Sequence, residues 1–367
     1  MGKKSENGST DKSEVSADRQ RWERARQYLI DLDKIPTSFT TPVRTLLLDG
    51  KHGGVLSPAS QFLTTRLLKS PTMKAIFYYL TLALHGEKIS NSAYLSSSDL
   101  VRLYAPHDVA AIIAIIYLHK KITRKGRLAE DADWANITKV MMIDVELGGH
   151  LGEAIPGIGP MKGILAASLR QMMLGIFRID NNDEFQRYLQ HLRLNNTAFD
   201  LNLEQEIWGC THLDLGSNAL QMLGFGARKA HAFLTGCSAN PPKDPRHDQE
   251  AYEFNIAVEW IETLKATGAA PDRVHLGQYY PAEKQMHKLL YEVNEIQEKG
   301  SEFAWLTRSK DDINPQATPQ LYQEFLMELQ GTEVLEEFYK DNLPSEVLQD
   351  LSEEDLRELA EAEVESS

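Results

Sequence analysis

The stretch Leu201–Gly226 reads LNLEQEIWGCTHLDLGSNALQMLGFG and combines a predicted helix start with an unusual set of small residues. The residues that stand out in it are Glu206, Gly209, His212, Gly216 and Gly224. Spacings of three and four place Gly209, His212 and Gly216 on one predicted helix face. Because a glycine inside a helix costs about 1 kcal/mol relative to alanine, two on one face indicate a closely packed neighbouring helix. His212 is either a core histidine bonded to a backbone carbonyl or a ligand-binding residue, and we favour the core histidine.

The rest of the chain also has the apolar periodicity of helices. Ser57-Pro58 and Ser70-Pro71 each pair an N-cap serine with a proline at the first helical position. Apolar residues follow both pairs at spacings of three and four, whereas no run alternates as a strand does. The sequence therefore predicts an all-α protein.

Changes in composition divide the chain into successive segments. The polar N-terminus predicts disorder, and a second polar stretch, 124–133, predicts a connector between two helical lobes. The predicted order is a disordered tail (1–17), an N-terminal lobe (18–123), a second lobe (132–300), a C-terminal helix (301–342) and an acidic tail (343–367).

The charge of the chain argues against a general nucleic-acid binder. Its 367 residues carry a net charge of −14, whereas phosphate backbones are bound by clustered lysine and arginine. Nine acidic residues and a single base, Arg357, lie in the tail Leu343–Ser367. This tail either docks on its own domain, or folds on contact with a partner, or is a solubilising appendage.

Location and redox state follow from other features. Met1–Gln20 is polar throughout and has no apolar core of a signal peptide, and the longest apolar patch, Val109–Leu118, is too short to span a bilayer. We therefore expect a cytoplasmic protein without a membrane segment. Cys210 and Cys237 are expected to be reduced core thiols, since neither has a second ligand at the spacing of a zinc site.

Motifs of catalysis are weak in this chain. Gly157, Gly159 and Gly163 loosely resemble a phosphate loop, but the preceding strand and the G-K-[ST] ending are missing. His150 and Glu153, three residues apart, can touch one ion but do not make a metal site by themselves. Hydrolase motifs such as G-x-S-x-G and H-E-x-x-H are not found.

The central stretch resembles the HD-related output domain (HDOD) family of bacterial signalling proteins. The matching residues are Glu206, Gly209, His212, Gly216 and Leu220, closing on Gly224-Phe225-Gly226, although Glu206 lies one residue closer to the glycine than in the family pattern. Upstream, Ala167–Phe177 stands where the family has a segment related to the HD hydrolases, and Ser70-Pro71-Thr72 resembles its N-terminal half. The resemblance implies a two-lobed helical HDOD-like domain with an HD-like bundle in the second lobe.

One departure from that pattern bears on activity. HD hydrolases bind divalent ions through a His-Asp pair, and the ions polarise phosphoryl oxygens and generate hydroxide. This chain has Arg170-Gln171 at the corresponding position, and neither side chain serves as such a ligand. We therefore expect no catalytic residues, no metal and no cofactor.

The expected function is non-catalytic bacterial signalling or gene control through a protein partner. One alternative is a metal-dependent phosphohydrolase of the HD type. Another is a sensor that binds a nucleotide second messenger, such as a cyclic nucleotide, in the cleft between the lobes. The phosphate contacts expected for such a sensor are Arg170, Arg178, Arg193 and Arg228.

Overall fold

The computed structural model describes residues 10–32, 34–89, 96–128, 134–272 and 277–300. The predicted C-terminal helix (301–342) and acidic tail (343–367) lie outside the described residues. Of the predicted disordered tail (1–17), residues 1–9 also lie outside them, whereas the backbone is helical from Thr10 onward.

Every regular element within these ranges is a helix, which confirms the all-α class. A short 3-10 helix, Gly277–Tyr279, precedes the last α-helix. The α-helices are α1 (Thr10–Leu32), α2 (Thr37–Lys51), α3 (Pro58–Leu67), α4 (Pro71–Ile89), α5 (Ser97–Val101), α6 (Pro106–Leu128), α7 (Trp134–Ala154), α8 (Gly159–Asp180), α9 (Asn182–Asn195), α10 (Leu201–Trp208), α11 (His212–Leu223), α12 (Ala227–Gly236), α13 (Gln249–Thr267) and α14 (Glu283–Lys299). Each of the described helices is too short or too polar to cross a bilayer.

Two helix starts follow the local signals of the sequence. The Ser57 side chain accepts a hydrogen bond from the backbone N–H of Ser60, and Pro58 takes the first helical position of α3. Helix α4 also begins at Pro71, but the Ser70 hydroxyl is buried without a hydrogen-bond partner among the described residues, so Ser70 is not the side-chain cap that the sequence predicted. Both starts were predicted from the serine–proline pairs, because a proline at the first turn needs no distant partner.

The described residues form two compact units. The larger one holds the residues up to Val55 and those from Ala105 onward, and the smaller one lies within Leu56–Tyr104. This division does not follow the predicted lobes, because α1 packs on α11 and α2 packs on α6, which brings the start of the chain into the larger unit. In the smaller unit, which contains α3, α4 and α5, the rings of Phe77 and Tyr104 meet edge to face at 5.7 Å.

Helix α8 is the centre of the larger unit. It packs against α6, α7, α9, α11 and α13, and most of its side chains are buried. Its closest neighbour is α7, where glycines bring the two backbones together. A Cβ added at Gly148 would lie 2.3 Å from the Gly163 carbonyl oxygen, and one at Gly152 would lie 2.4 Å from that of Gly159. These positions therefore allow no side chain.

Helix α7 continues further into the glycine-rich stretch than the composition of that stretch suggests. The composition of 148–160 predicts a break across five glycines and two prolines, but α7 continues to Ala154 and the chain turns at 155–158. The close crossing with α8 explains the difference. Packing against a neighbouring helix compensates for the poor helix propensity of glycine.

Candidate functional site

The central stretch forms two helices rather than one. Gly209 ends α10 in a left-handed conformation with φ of 74°, and Thr211 begins α11 with a capping box to Asp214. The prediction that Gly209, His212 and Gly216 share one helix face is therefore wrong. The three-residue spacing is helical in period, but a glycine with positive φ ends a helix, and the threonine cap starts a new one.

His212 is a buried core histidine, and its partner is a carboxylate rather than the expected backbone carbonyl. Its side chain is 1% exposed, and Nδ1 lies 2.8 Å from Oε2 of Glu204, which is also buried. Since a carboxylate only accepts, Nδ1 carries a proton and donates it. The backbone N–H of His212 and the hydroxyl of Tyr188 also donate to Glu204. Glu206, the glutamate of the family motif, is exposed instead.

Of the Arg170-Gln171 pair, Arg170 is also part of the core packing. Phe199 stacks on the His212 ring with centroids 4.4 Å apart, and the Arg170 guanidinium lies 4.1 Å from the Phe199 centroid. Arg170 also donates to Glu262 at 2.8 Å. Among the described residues, no group of three or more histidine, cysteine or acidic side chains is placed to hold a metal ion.

The four predicted phosphate-binding arginines do not lie together. Arg170 lies over the Phe199 ring and donates to Glu262, and Arg178 is also buried in α8. Arg193 is exposed on α9, whereas Arg228 lies at a cavity with other cations.

That cavity has a volume of about 570 Å³ and lies wholly in the larger unit. Residues of α2, α6, α8, α12 and α13 line it, together with the α11–α12 junction. We call it the basic pocket after its five cationic side chains, Arg44, Lys51, Lys162, Arg228 and Lys229. His107 and one acidic residue, Glu250, also line it.

Three of the five cations are ion-paired. Lys162 Nζ lies 3.0 Å from Glu253 Oε2, and Glu250 is paired with Lys229 at 3.3 Å and with Arg228 at 3.4 Å. Arg44 and Lys51 form no ion pair within the described ranges. The basic pocket thus contains more positive charge than its carboxylates neutralise.

The lysines of the basic pocket lie close enough to affect one another. Burial lowers the pKa of Lys229 below its ordinary value of 10.5, and the positive charges of Lys162 and Lys51 lower it further. The carboxylate of Glu250 acts in the opposite direction. The electrostatic repulsion between these cations is relieved when an anion binds between them.

Two local features hold the walls of the basic pocket in place. At the N-terminus of α8, Asp108 of α6 accepts the backbone N–H of Met161 at 2.8 Å, which fixes the turn that carries Lys162. At the end of α11, Gly224 has φ of 102°, and a Cβ there would come within 3.0 Å of Arg44 Cγ. A glycine at 224 therefore satisfies the backbone and leaves room for Arg44.

A second cavity of about 240 Å³ lies between α7 and α14. His150 and Glu153 line it with Lys284, Lys288 and Glu292, so its charges are mixed. His150 is buried, with Nε2 3.9 Å from Glu146, on the same helix. This cavity is a weaker candidate, because its cations and carboxylates are balanced.

Most of the basic pocket was missed by reasoning from sequence. Its cations are scattered from Arg44 to Lys229, and only Arg228 and Lys229 adjoin a recognised motif, after Gly226.

Comparisons of the chain with protein-family models, with curated proteins and with solved structures give no match.

Proposed function

We propose that this chain is a non-catalytic regulatory protein that acts by binding, and that the basic pocket holds an anionic small molecule. The observation that carries this proposal is the gathering of five cationic side chains around one cavity in a chain whose net charge is −14. Concave sites of this size that contain a few convergent charged groups are typical of ligand pockets.

Binding rather than catalysis is supported by the surroundings of His212. Its ring is enclosed in the core, Nδ1 is committed to Glu204, and Phe199 covers one face. A general base or metal ligand has to reach substrate or ion, which a side chain in this position does not do. The Arg170-Gln171 pair in place of His-Asp supports the same proposal.

The signalling context of the proposal comes from the HDOD resemblance of Glu206–Gly226. It implies a cytoplasmic bacterial protein that transmits the bound state of its ligand to a protein partner. The basic pocket adds a specific place where a signal is received, which the resemblance alone does not supply.

Isothermal titration with inorganic pyrophosphate tests the binding proposal. In the variant Arg44→Gln/Lys51→Gln, two cations without ion-pair partners are removed, so no buried carboxylate is left unpaired. We expect affinity to fall by at least about a hundredfold, since two cations are removed and each charge-assisted hydrogen bond contributes roughly 1.5–3 kcal/mol. The matched control Arg193→Gln/Lys243→Gln removes two exposed cations that line neither cavity and should bind like the wild type. Equal weakening in both variants, or no binding by the wild type, would contradict the proposal.

A turnover assay tests the non-catalytic part. The protein should not hydrolyse bis(p-nitrophenyl) phosphate in the presence of Mn²⁺. Hydrolysis that is lost in His212→Ala but kept in Arg44→Gln/Lys51→Gln would instead support the phosphohydrolase alternative.

A further inference from the structure

The excess positive charge of the basic pocket is larger than the negative charge that one phosphate monoester carries. Five cations face two carboxylates, Glu250 and Glu253, so three positive charges are uncompensated. A monoester carries about −1.5 to −2 at neutral pH. A ligand with two or more linked phosphoryl groups matches the pocket better.

The cavity is also larger than a phosphate group requires. Its volume of about 570 Å³ lies within the range of roughly 300–1,000 Å³ that holds drug-sized ligands. Part of this space is bordered by apolar side chains rather than by charge: Leu47, Leu48, Ile158, Met161 and Phe225. Leu48 is 51% exposed, whereas the others are buried, so Leu48 offers apolar surface that a flat ring of a ligand would cover.

The start of α12 adds backbone donors to the basic pocket. Helix α12 begins after Gly226, which provides no side-chain cap, and its first-turn N–H groups have the orientation that favours phosphate. The nearby Glu250 carboxylate is paired with Arg228 at 3.4 Å and with Lys229 at 3.3 Å, so its negative charge is compensated.

We infer that the ligand of the basic pocket is a nucleotide that carries a diphosphate group. The cations and the start of α12 recognise the diphosphate, and the apolar border around Leu48 recognises the base. This inference rests on the proposed function, since it specifies the anion that the same pocket binds.

The test compares four probes by isothermal titration in buffer with EDTA: ADP, GDP, AMP and inorganic pyrophosphate. We expect ADP or GDP to bind at least tenfold more tightly than AMP, because AMP lacks the second phosphoryl group. We also expect that nucleotide to bind at least tenfold more tightly than pyrophosphate, because pyrophosphate lacks the base.

Two matched variants identify the apolar contact. Leu48→Ala should weaken binding of the preferred nucleotide by about three- to tenfold, the loss expected for part of a leucine side chain, and leave pyrophosphate binding unchanged. The control Leu194→Ala removes a leucine that is 79% exposed on α9 and should change neither.

The outcomes separate this inference from the proposed function. Pyrophosphate binding that equals nucleotide binding would show that no base is recognised, and AMP binding that equals ADP binding would show that one phosphate is enough. Either result overturns the inference and leaves an anion-binding pocket in place. Failure of all four probes to bind would overturn both proposals.

Discussion

The substitution Gly152→Ala tests the close crossing of α7 and α8 that positions one wall of the basic pocket. The added Cβ would lie 2.4 Å from both the Gly159 carbonyl oxygen and the Pro160 Cα. Ordinary contact begins at about 3.4 Å, so the two helices would have to separate locally by about 1 Å. Because both neighbours are backbone atoms, no side-chain rotation relieves the crowding.

Two opposing effects determine the expected free energy of unfolding. Overpacking of a well-packed interior costs about 1–3 kcal/mol, and a backbone contact belongs at the upper end of that range. Alanine is a better helix former than glycine by about 1 kcal/mol, which offsets part of the cost. We therefore expect Gly152→Ala to lower the free energy of unfolding by about 2 kcal/mol. Binding of pyrophosphate should weaken as well, because Gly159 and Pro160 begin the helical turn that carries Lys162.

The assay is urea unfolding followed by circular dichroism, with Gly86→Ala in α4 as the control. Gly86 follows the kink that α4 makes at His85, and the nearest heavy atom to a Cβ there is Leu82 Cδ1 at 4.0 Å, so alanine meets no crowding at this position. We expect the control to be as stable as the wild type or more so. If Gly152→Ala behaved in the same way as the control, the close crossing of α7 and α8 would be refuted.

Three further predictions concern the packing and ionisation of the larger unit. Gly216→Leu should lower the free energy of unfolding by about 1–3 kcal/mol, and with it the melting temperature, because a Cβ there would lie 2.6 Å from the Phe233 ring. A melting curve identical to that of the wild type would contradict this packing. Burial raises the pKa of Asp108 above its ordinary value of 3.8, so the folded state binds the proton more tightly and stability falls as pH rises above 3.8. Asp108→Asn should therefore gain stability relative to wild type between pH 3.5 and pH 7 in urea titrations, and a constant difference across that range would count against the buried carboxylate. Burial raises the pKa of the Cys210 and Cys237 thiols to about 12, so neither should react with Ellman's reagent at pH 8 until the protein is unfolded in urea; rapid reaction of the folded protein would contradict their burial.

The parts of the fold that sequence predicts well are those determined by neighbours in the chain. The starts of α3 and α4 were predicted because Ser57-Pro58 and Ser70-Pro71 place a proline at the first helical position, although of the two serines only Ser57 caps its helix. Gly209 was misread because residue spacing does not distinguish a helical glycine from one with positive φ. The capping box of Thr211 and Asp214 was the local signal for a new helix, and it was overlooked.

Features that depend on distant residues were beyond such reasoning. The assignment of α1 and α2 to the larger unit depends on contacts with α11 and α6, which composition does not reveal. The partner of His212 was also unexpected, since Glu204 lies eight residues away across a helix break. Net charge did not indicate the basic pocket, because a total of −14 says nothing about a local excess of cations.

The stretch that resembles the HDOD family divides into two parts with different physical roles. His212, at its centre, is joined to Glu204 and Tyr188 in a buried network, and its removal would leave those polar groups without partners. Gly224-Phe225-Gly226, at its end, lies at the surface of the basic pocket and leaves room for Arg44. The histidine therefore supports the core, whereas the glycine ending shapes the place where we propose that ligand binds. The glycine ending can contribute to binding whether or not the histidine has a chemical role, because the backbone geometry of glycine depends on neither a catalytic side chain nor a metal.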